Sequence, residues 1–268
     1  MSEFDFETPI DRLNPPNDDS IKWGRYARQR ARGQDVLPMW IADMDFAAPT
    51  AVIEALAQRV DHGVFGYPHP TRAVMDAVLH HLERDLGWVV EADWLVWLPG
   101  LVTGLNLACR AVGVAGDAVL TAVPIYPPFM SAPQLSDRQL LTLPLVREDG
   151  RWTWDFAALE SMAASPEGQR IKLLMLCNPH NPVGRVWDRE TLIRLGQLAE
   201  QHDWLICSDD IHAELVLEPG CRYTPLASLS PELARRTITL LAPSKTYNIP
   251  GLGASFAVIP DPALRRRV

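Results

Sequence analysis

Four stretches of this chain carry residue types able to do chemistry. Lys245 lies in Pro243-Ser244-Lys245-Thr246, and Asp209 opens Asp209-Asp210-Ile211-His212. Asn181 lies within Asn178-Pro179-His180-Asn181-Pro182-Val183-Gly184. Pro99-Gly100-Leu101-Val102-Thr103-Gly104 leads into a predicted helix over 105–112. The free backbone N–H groups of a helix start suit an anion such as phosphate. Taken singly, each stretch has a plainer reading. Asn and Pro dominate turns, paired acids usually cap a segment or sit in water, and a lysine beside Ser244, Thr246 and Tyr247 reads as an exposed one. Two glycines alone are a weak phosphate signal. The coincidence is what counts. An anion-binding helix start, an amide, a carboxylate and a lysine fall together where loops leave one sheet.

That set matches the needs of pyridoxal phosphate. The cofactor requires a lysine amine for a Schiff base, an acid to keep its ring nitrogen protonated, a donor to its phenolate oxygen and a cradle for its phosphate. The expected roles are Lys245 as the Schiff-base lysine, Asp209 at the ring nitrogen and Asn181 at the phenolate oxygen. Val102, Thr103 and Ser244 are expected to hold the phosphate.

These residues need a scaffold, and the apolar pattern describes one. Ile53, Leu56 and Val60 recur at helical spacing up to Gly63. After Thr71, the stripe Val74, Val78, Leu82 and Leu86 runs to a stop at Gly87. From Trp94 onward short apolar runs alternate with helical segments. Candidate strands are 118–122, 140–145, 171–177, 204–208, 237–242 and 255–259, and a helix spans about 188–202. Strand–helix–strand units build parallel sheets, whose strands read as runs because both faces are buried. The fold class is therefore α/β on a largely parallel sheet, whose ligands bind at the carboxyl ends of strands. The first fifty residues are broken by Pro9, Pro15, Pro16, Pro38 and Pro49 and read as an arm.

Composition narrows the class of molecule. The 268 residues are 47% hydrophobic and 22% charged, which excludes a disordered, collagen-like or disulfide-scaffold chain. A formal charge of −8 argues against nucleic acid or an anionic membrane as the main partner. Cys109, Cys177, Cys207 and Cys221 lie far apart, without a Cys-x-x-Cys pair. They read as free thiols of a reducing compartment, with no metal site. The acidic start Met1-Ser2-Glu3-Phe4-Asp5-Phe6 lacks a signal pattern, and no apolar run nears the ~20 residues that span a bilayer. A cytoplasmic globular protein is expected.

The same stretches carry a resemblance. The chain resembles the fold-type I pyridoxal-phosphate enzymes of the class I/II aminotransferase superfamily, and within it the cystathionine β-lyase and cysteine-conjugate C–S lyase branch. The matching stretches are Leu37-Pro38-Met39-Trp40-Ile41-Ala42-Asp43-Met44-Asp45-Phe46, His62-Gly63-Val64-Phe65-Gly66-Tyr67 and Pro124-Ile125-Tyr126-Pro127-Pro128-Phe129, with 177–187, 208–212 and 242–252. The similarity spans essentially 37–260. It implies a mostly parallel seven-stranded sheet flanked by helices, with an arm over 1–49 and a cofactor-binding large domain over 50–268. It also implies that Tyr126 stacks on the pyridine ring and takes part in catalysis with Lys245 and Asp209. Tyr67 reaches the phosphate of a neighbouring subunit in a homodimer, and Trp40, Ala42 and Asp43 border the substrate. Typical aminotransferases carry a tyrosine three residues after the pyridine aspartate and an arginine eight after the lysine. This chain has His212 and Gly253 there. The histidine fits the lyase branch, and the missing arginine shifts more of the phosphate contact to Tyr67.

The implied reaction is β-elimination from a cysteine thioether such as cystathionine, giving thiol, pyruvate and ammonia, with freed Lys245 as the base at Cα. A transaminase would instead return the proton to the cofactor. Members of the family continue into a small C-terminal domain bearing an arginine for the substrate carboxylate. This chain ends at Val268, 23 positions after Lys245. The small domain is expected to be missing, which leaves a non-catalytic cofactor-binding or dimerisation module as the alternative.

Overall fold

The computed structural model describes residues 8–10, 20–26, 28, 32–33 and 36–268. The acidic amino terminus and the Pro15-Pro16 step lie outside the described residues. The chain divides into two compact units, Met1–His69 with Pro243–Leu252, and Pro70–Ala242 with Gly253–Val268.

In the first unit a short turn of helix, α1 (Ile21–Gly24), starts at Ser20, whose hydroxyl accepts from Trp23 N at 3.4 Å. Helix α2 (Thr50–His62) ends as its sequence predicts, at Gly63 in the left-handed region with φ 72°. Only glycine adopts that conformation without steric cost. Its stripe Ile53, Leu56 and Val60 is exposed, and α2 buries no residue at all. Periodicity located the helix, and among the described residues none buries its apolar face.

The second unit opens with α3 (Arg72–Leu86). Thr71 caps it by accepting from Val74 N at 3.3 Å, and Gly87 stops it at φ 64°. The sheet follows: β1 (Leu95–Leu98), β2 (Ala118–Val123), β3 (Gln139–Pro144), β6 (Ile171–Cys177), β7 (Leu205–Asp209), β8 (Thr237–Leu241) and β9 (Ser255–Val258). A separate hairpin, β4 (Val146–Glu148) and β5 (Arg151–Thr153), turns on Asp149 and Gly150, both at positive φ. The seven-stranded order is β1-β9-β8-β7-β6-β2-β3. All neighbours are parallel except β9, which is antiparallel to both β1 and β8. Strand β1 was not among the candidate strands. The other six match the apolar runs to within a residue or so.

Both sheet faces are covered, which is why the strands read as runs. Leu174, Leu176 and Ile206 meet α6 (Phe156–Ala164) and α7 (Arg189–Gln201) through Leu159, Leu192 and Leu195. Alternating with them, Leu173, Met175, Cys207 and Leu240 meet α4 (Leu101–Ala111) and α5 (Pro128–Gln134) through Leu105, Ala108 and Phe129. Leu192 and Leu195 are fully buried, each stabilising by roughly 1.5–3 kcal/mol. Helix α4 begins at Leu101, four residues earlier than the predicted 105. Gly104 is thereby a packing residue inside the helix. A Cβ there would lie 2.9 Å from both Leu240 Cδ2 and Leu98 Cδ1.

Candidate active site

Strands β1, β2, β6, β7 and β8 run the same way, so their carboxyl ends share one edge of the sheet. The predicted residues of the second unit follow from those ends. Helix α4 starts directly after β1, with Val102 and Thr103 exposed in its first turn. The N–H of Gly104 already bonds Gly100 O at 3.2 Å. Among the described residues, that leaves the N–H groups of Leu101, Val102 and Thr103 as the unpaired donors of the helix start. Tyr126 follows β2, Asn181 follows β6, Asp209 closes β7, and half-buried His212 lies three residues beyond.

Asp209 is 4% exposed, and its Oδ1 accepts from Ile211 N at 3.1 Å. Burial pushes the Tyr126 phenol above its ordinary value, and the Asp209 charge adds to the rise. Asp210 is used differently. Its Oδ1 accepts from Ser208 Oγ at 2.5 Å, and Oδ2 accepts from the Tyr223 hydroxyl. Burial raises its carboxyl to about 7, against the lowering effect of those two hydrogen bonds. Of the two acids that look equivalent in sequence, Asp210 is bonded to two side chains and Asp209 accepts from the backbone of Ile211.

The loop after β6 is fixed by groups that sequence reasoning treated only as turn formers. Asn178 is fully buried; its Oδ1 accepts from Trp187 N at 3.1 Å and its Nδ2 donates to Thr224 O at 3.4 Å. His180, 1% exposed, donates through Nε2 to Pro124 O at 2.8 Å, two residues before Tyr126. Burial holds its imidazole neutral by lowering the pKa. Thus His180 links the loop bearing Asn181 to the loop bearing Tyr126. Cys109, Cys177 and Cys207 are buried free thiols and Cys221 is half-buried. Burial raises Cys109 to about 12 and moves Cys177 and Cys207 well above the ordinary thiol value, so none of the three is a poised nucleophile. Among the described residues no group of three His, Cys, Asp or Glu side chains is placed to hold a metal. No helix among them is long and apolar enough to cross a membrane.

The first unit carries Trp40, Ala42, Asp43, Tyr67, Ser244 and Lys245. Lys245 is half-buried, and its Nζ has no hydrogen bond or ion pair with any described residue. Tyr67 is fully exposed. The strip Trp40–Phe46 is held from the arm side. Lys22 Nζ, in a side chain only 8% exposed, donates to Asp43 O at 2.7 Å and pairs with Asp45 Oδ2 at 2.8 Å. Trp23 Nε1 donates to Asp45 Oδ1 at 2.8 Å, and Arg25 lies 4.7 Å from the Trp40 ring centroid. A lysine in an irregular arm gives no local hint of this role, since its partners lie more than twenty positions on.

The donor set fits pyridoxal phosphate. A buried carboxylate suits the ring nitrogen, the open first turn of α4 suits a phosphate, and the Asn181 amide, without a partner among the described residues, suits the phenolate oxygen.

Known proteins are similar to this chain. Cystathionine beta-lyase PatB of Bacillus subtilis is 43% identical over 242 residues, covering 90% of this chain and 61% of that protein. The crystal structure of OvoB superposes with a TM-score of 0.90 at 48% identity, over 98% of this chain and 66% of that one. Cystalysin from Treponema denticola, whose crystal structure contains a pyridoxal 5'-phosphate cofactor, gives 0.91 at 35% identity, over 99% and 66%. The chain thus spans a little under two thirds of the length of these proteins. The model of aminotransferase class I and II matches residues 34–267, and the chain belongs to that family.

Proposed function

We propose that this chain provides the cofactor-binding part of a pyridoxal-phosphate-dependent C–S β-lyase, acting on cystathionine or a related cysteine thioether. When bound, the cofactor supplies an electron sink for the carbanion at Cα. The protein does the rest. Lys245 holds the cofactor and, once displaced by the substrate amine, takes the Cα proton. Asp209 keeps a proton on the ring nitrogen, Asn181 donates to the phenolate oxygen, and the Tyr126 ring stacks on the pyridine. The α4 N–H groups of Val102 and Thr103, with the Ser244 hydroxyl, hold the phosphate. Trp40 and the backbone of Ala42 and Asp43 border the substrate. Cleavage of the Cβ–S bond releases a thiol, and hydrolysis of the remainder consumes water and yields pyruvate and ammonia.

The observation that carries the lyase reading is the pair of positions where transaminases differ. His212 replaces their tyrosine, and Gly253 replaces their arginine. Gly253 has φ 65°, and a Cβ there would meet Pro99 O at 3.0 Å, so this backbone is shaped for a residue without a side chain. We take residues 1–49 as an arm and 50–268 as the cofactor-binding domain of a cytoplasmic homodimer. Exposed Ile53, Leu56 and Val60 of α2 offer a second copy an apolar face, and exposed Tyr67 is the residue to cross to its phosphate.

Borohydride reduction of the cofactor-loaded chain, followed by peptide mapping, is expected to label Lys245, and pyruvate is expected from cystathionine. Label without pyruvate or amino transfer supports a binding module instead. Amino transfer to a keto acid without pyruvate makes the chain a transaminase.

A further inference from the structure

The loop bearing Lys245 is bonded to the strip that borders the substrate through one side chain. Asn248, three residues after Lys245, accepts from Met44 N through Oδ1 at 2.8 Å. Its Nδ2 donates to Met44 O at 3.3 Å and to Phe46 O at 3.1 Å. One amide thus uses both its acceptor and its donor face on backbone 204 and 202 positions away, pairing with Met44 much as a neighbouring strand would. Its own backbone has φ 54°, a left-handed conformation that asparagine tolerates better than most residues. On the same strip, Lys22 holds Asp43 O and the Asp45 carboxylate from the arm. The strip from Asp43 to Phe46 is therefore held at every residue: Lys22 and Asn248 bond the backbone of Asp43, Met44 and Phe46, Lys22 and Trp23 the Asp45 carboxylate, and Ile10 N the Asp45 carbonyl at 2.6 Å. On an irregular strip, side-chain contacts of this kind do what ladder bonds do for a strand.

We infer that Asn248 is a positioning residue of the proposed lyase site, locking the Trp40–Phe46 strip to the Lys245 loop so that the substrate wall and the lysine keep a fixed relation. The inference rests on the lyase reading for the roles of Lys245 and the strip. Asn248 itself touches no reacting atom. Its contribution is to amino-acid binding and not to cofactor capture.

Asn248→Gly keeps the left-handed backbone and removes all three bonds. Asn248→Asp keeps the shape and the Met44 N contact but removes both donors. Both are expected to retain the borohydride-fixed label on Lys245. Both should weaken binding of L-alanine, an amino acid with no leaving group, by about tenfold, as read by titrating the visible absorbance of the loaded chain. In pyruvate release from cystathionine, KM should rise by a similar factor while kcat changes less than about twofold. Unchanged alanine binding in both variants overturns the inference, as does loss of the label in them, which would make Asn248 a cofactor-capture or folding residue. A parent chain that takes no label overturns the lyase reading itself, a distinct result. Should the Asn248 variants not fold, Lys22→Met, which frees the same strip from the arm side, carries the test with the same outcomes.

Discussion

Cys177 and Asp209 face each other as register partners at the ends of β6 and β7, and Asn178 N donates to Asp209 O at 3.0 Å just beyond them. The loops that carry Asn181 and Asp209 therefore leave the sheet at one level. Their separation is set by the spacing of adjacent strands, about 4.8 Å, and not by flexible side chains. The neighbouring pair in β7 and β8 repeats the device, since Asp210 N donates to Leu240 O at 2.9 Å.

Asp209→Asn should separate charge from shape. The amide oxygen can still accept from Ile211 N, so the loop is expected to keep its conformation. With the negative charge gone, turnover should fall by about 10²–10⁴-fold while Lys245 remains labelled by borohydride. The Tyr126 phenol should also titrate lower than in the parent, because the charge contribution to its rise disappears while the burial contribution stays. Spectrophotometric titration of the tyrosines, with Tyr126→Phe as the reference, reads this directly.

Gly104→Ala tests the packing beneath the phosphate end of the site. The added Cβ would come within 2.9 Å of Leu240 Cδ2 and Leu98 Cδ1, both in the core between α4 and the sheet. Those side chains must shift, at a cost of about 1–3 kcal/mol for overpacking. Denaturant unfolding should show a lower midpoint with unchanged m-value. An unchanged midpoint would show that α4 does not pack this closely.

Much of this layout was legible in the sequence, for a physical reason. Doubly buried strands must be apolar throughout, so 171–177 and 237–242 announced themselves, and polar residues directly after such runs had to lie at a sheet edge. Asp209 and Asn181 were expected there for that reason, and Asp209 does close β7 while Asn181 follows β6. Two elements escaped. Strand β1 escaped although Leu95-Val96-Trp97-Leu98 is apolar throughout; it is a four-residue strand at the sheet's edge with a mixed burial pattern. The first turn of α4 was hidden because Gly100 and Gly104 read as a loop, whereas Gly104 is there to admit Leu240. Roles fixed by distant partners left no local trace. Nothing near Asn248 names Met44, nothing near Lys22 names Asp45, and nothing in an Asn-Pro-rich turn predicts that His180 bonds Pro124 O.

Gly253→Arg restores the residue of typical aminotransferases and should fail to restore its contact. The left-handed φ of 65° and the Pro99 oxygen 3.0 Å from the new Cβ both oppose any side chain. Strain of this kind costs roughly 1–3 kcal/mol. Thermal unfolding should show the loss, and cofactor retention on gel filtration should not improve. Tighter retention would mean the backbone re-forms around the arginine, which would weaken the case that this position separates the two reaction types.

Two histidines in the second unit should give stability opposite slopes with pH. Burial depresses His180 below its ordinary value of 6.5. The unfolded chain therefore binds the proton first, and stability should decline as pH drops below 6.5 and on through the folded value. His81 is raised, chiefly by its hydrogen bond to Glu214, whose Oε1 lies 2.6 Å from Nε2, with Asp85 Oδ2 2.6 Å from Nδ1. Its stabilisation is complete below pH 6.5 and is lost as pH rises through the folded value. The partly exposed His81 cluster is worth at most about 1 kcal/mol after screening. Breaking the His180–Pro124 bond should cost about 0.5–1.5 kcal/mol, the net worth of one hydrogen bond, since Pro124 is exposed and water can replace the imidazole at its carbonyl. Melting temperatures of His81→Gln and His180→Phe, followed from pH 5 to 8, separate the two. The first should flatten the alkaline limb by about 1–3 °C, and the second should flatten the acid limb on a lower overall curve. If His180→Phe retained the parent's acid slope, the proton responsible would have to be bound elsewhere. Asp210, raised to about 7 by burial, is the nearest candidate by value, but its sign is opposite. As an acid with a raised folded pKa it stabilises at low pH and loses that contribution as pH climbs, so it adds to the His81 limb and cannot mimic the His180 one.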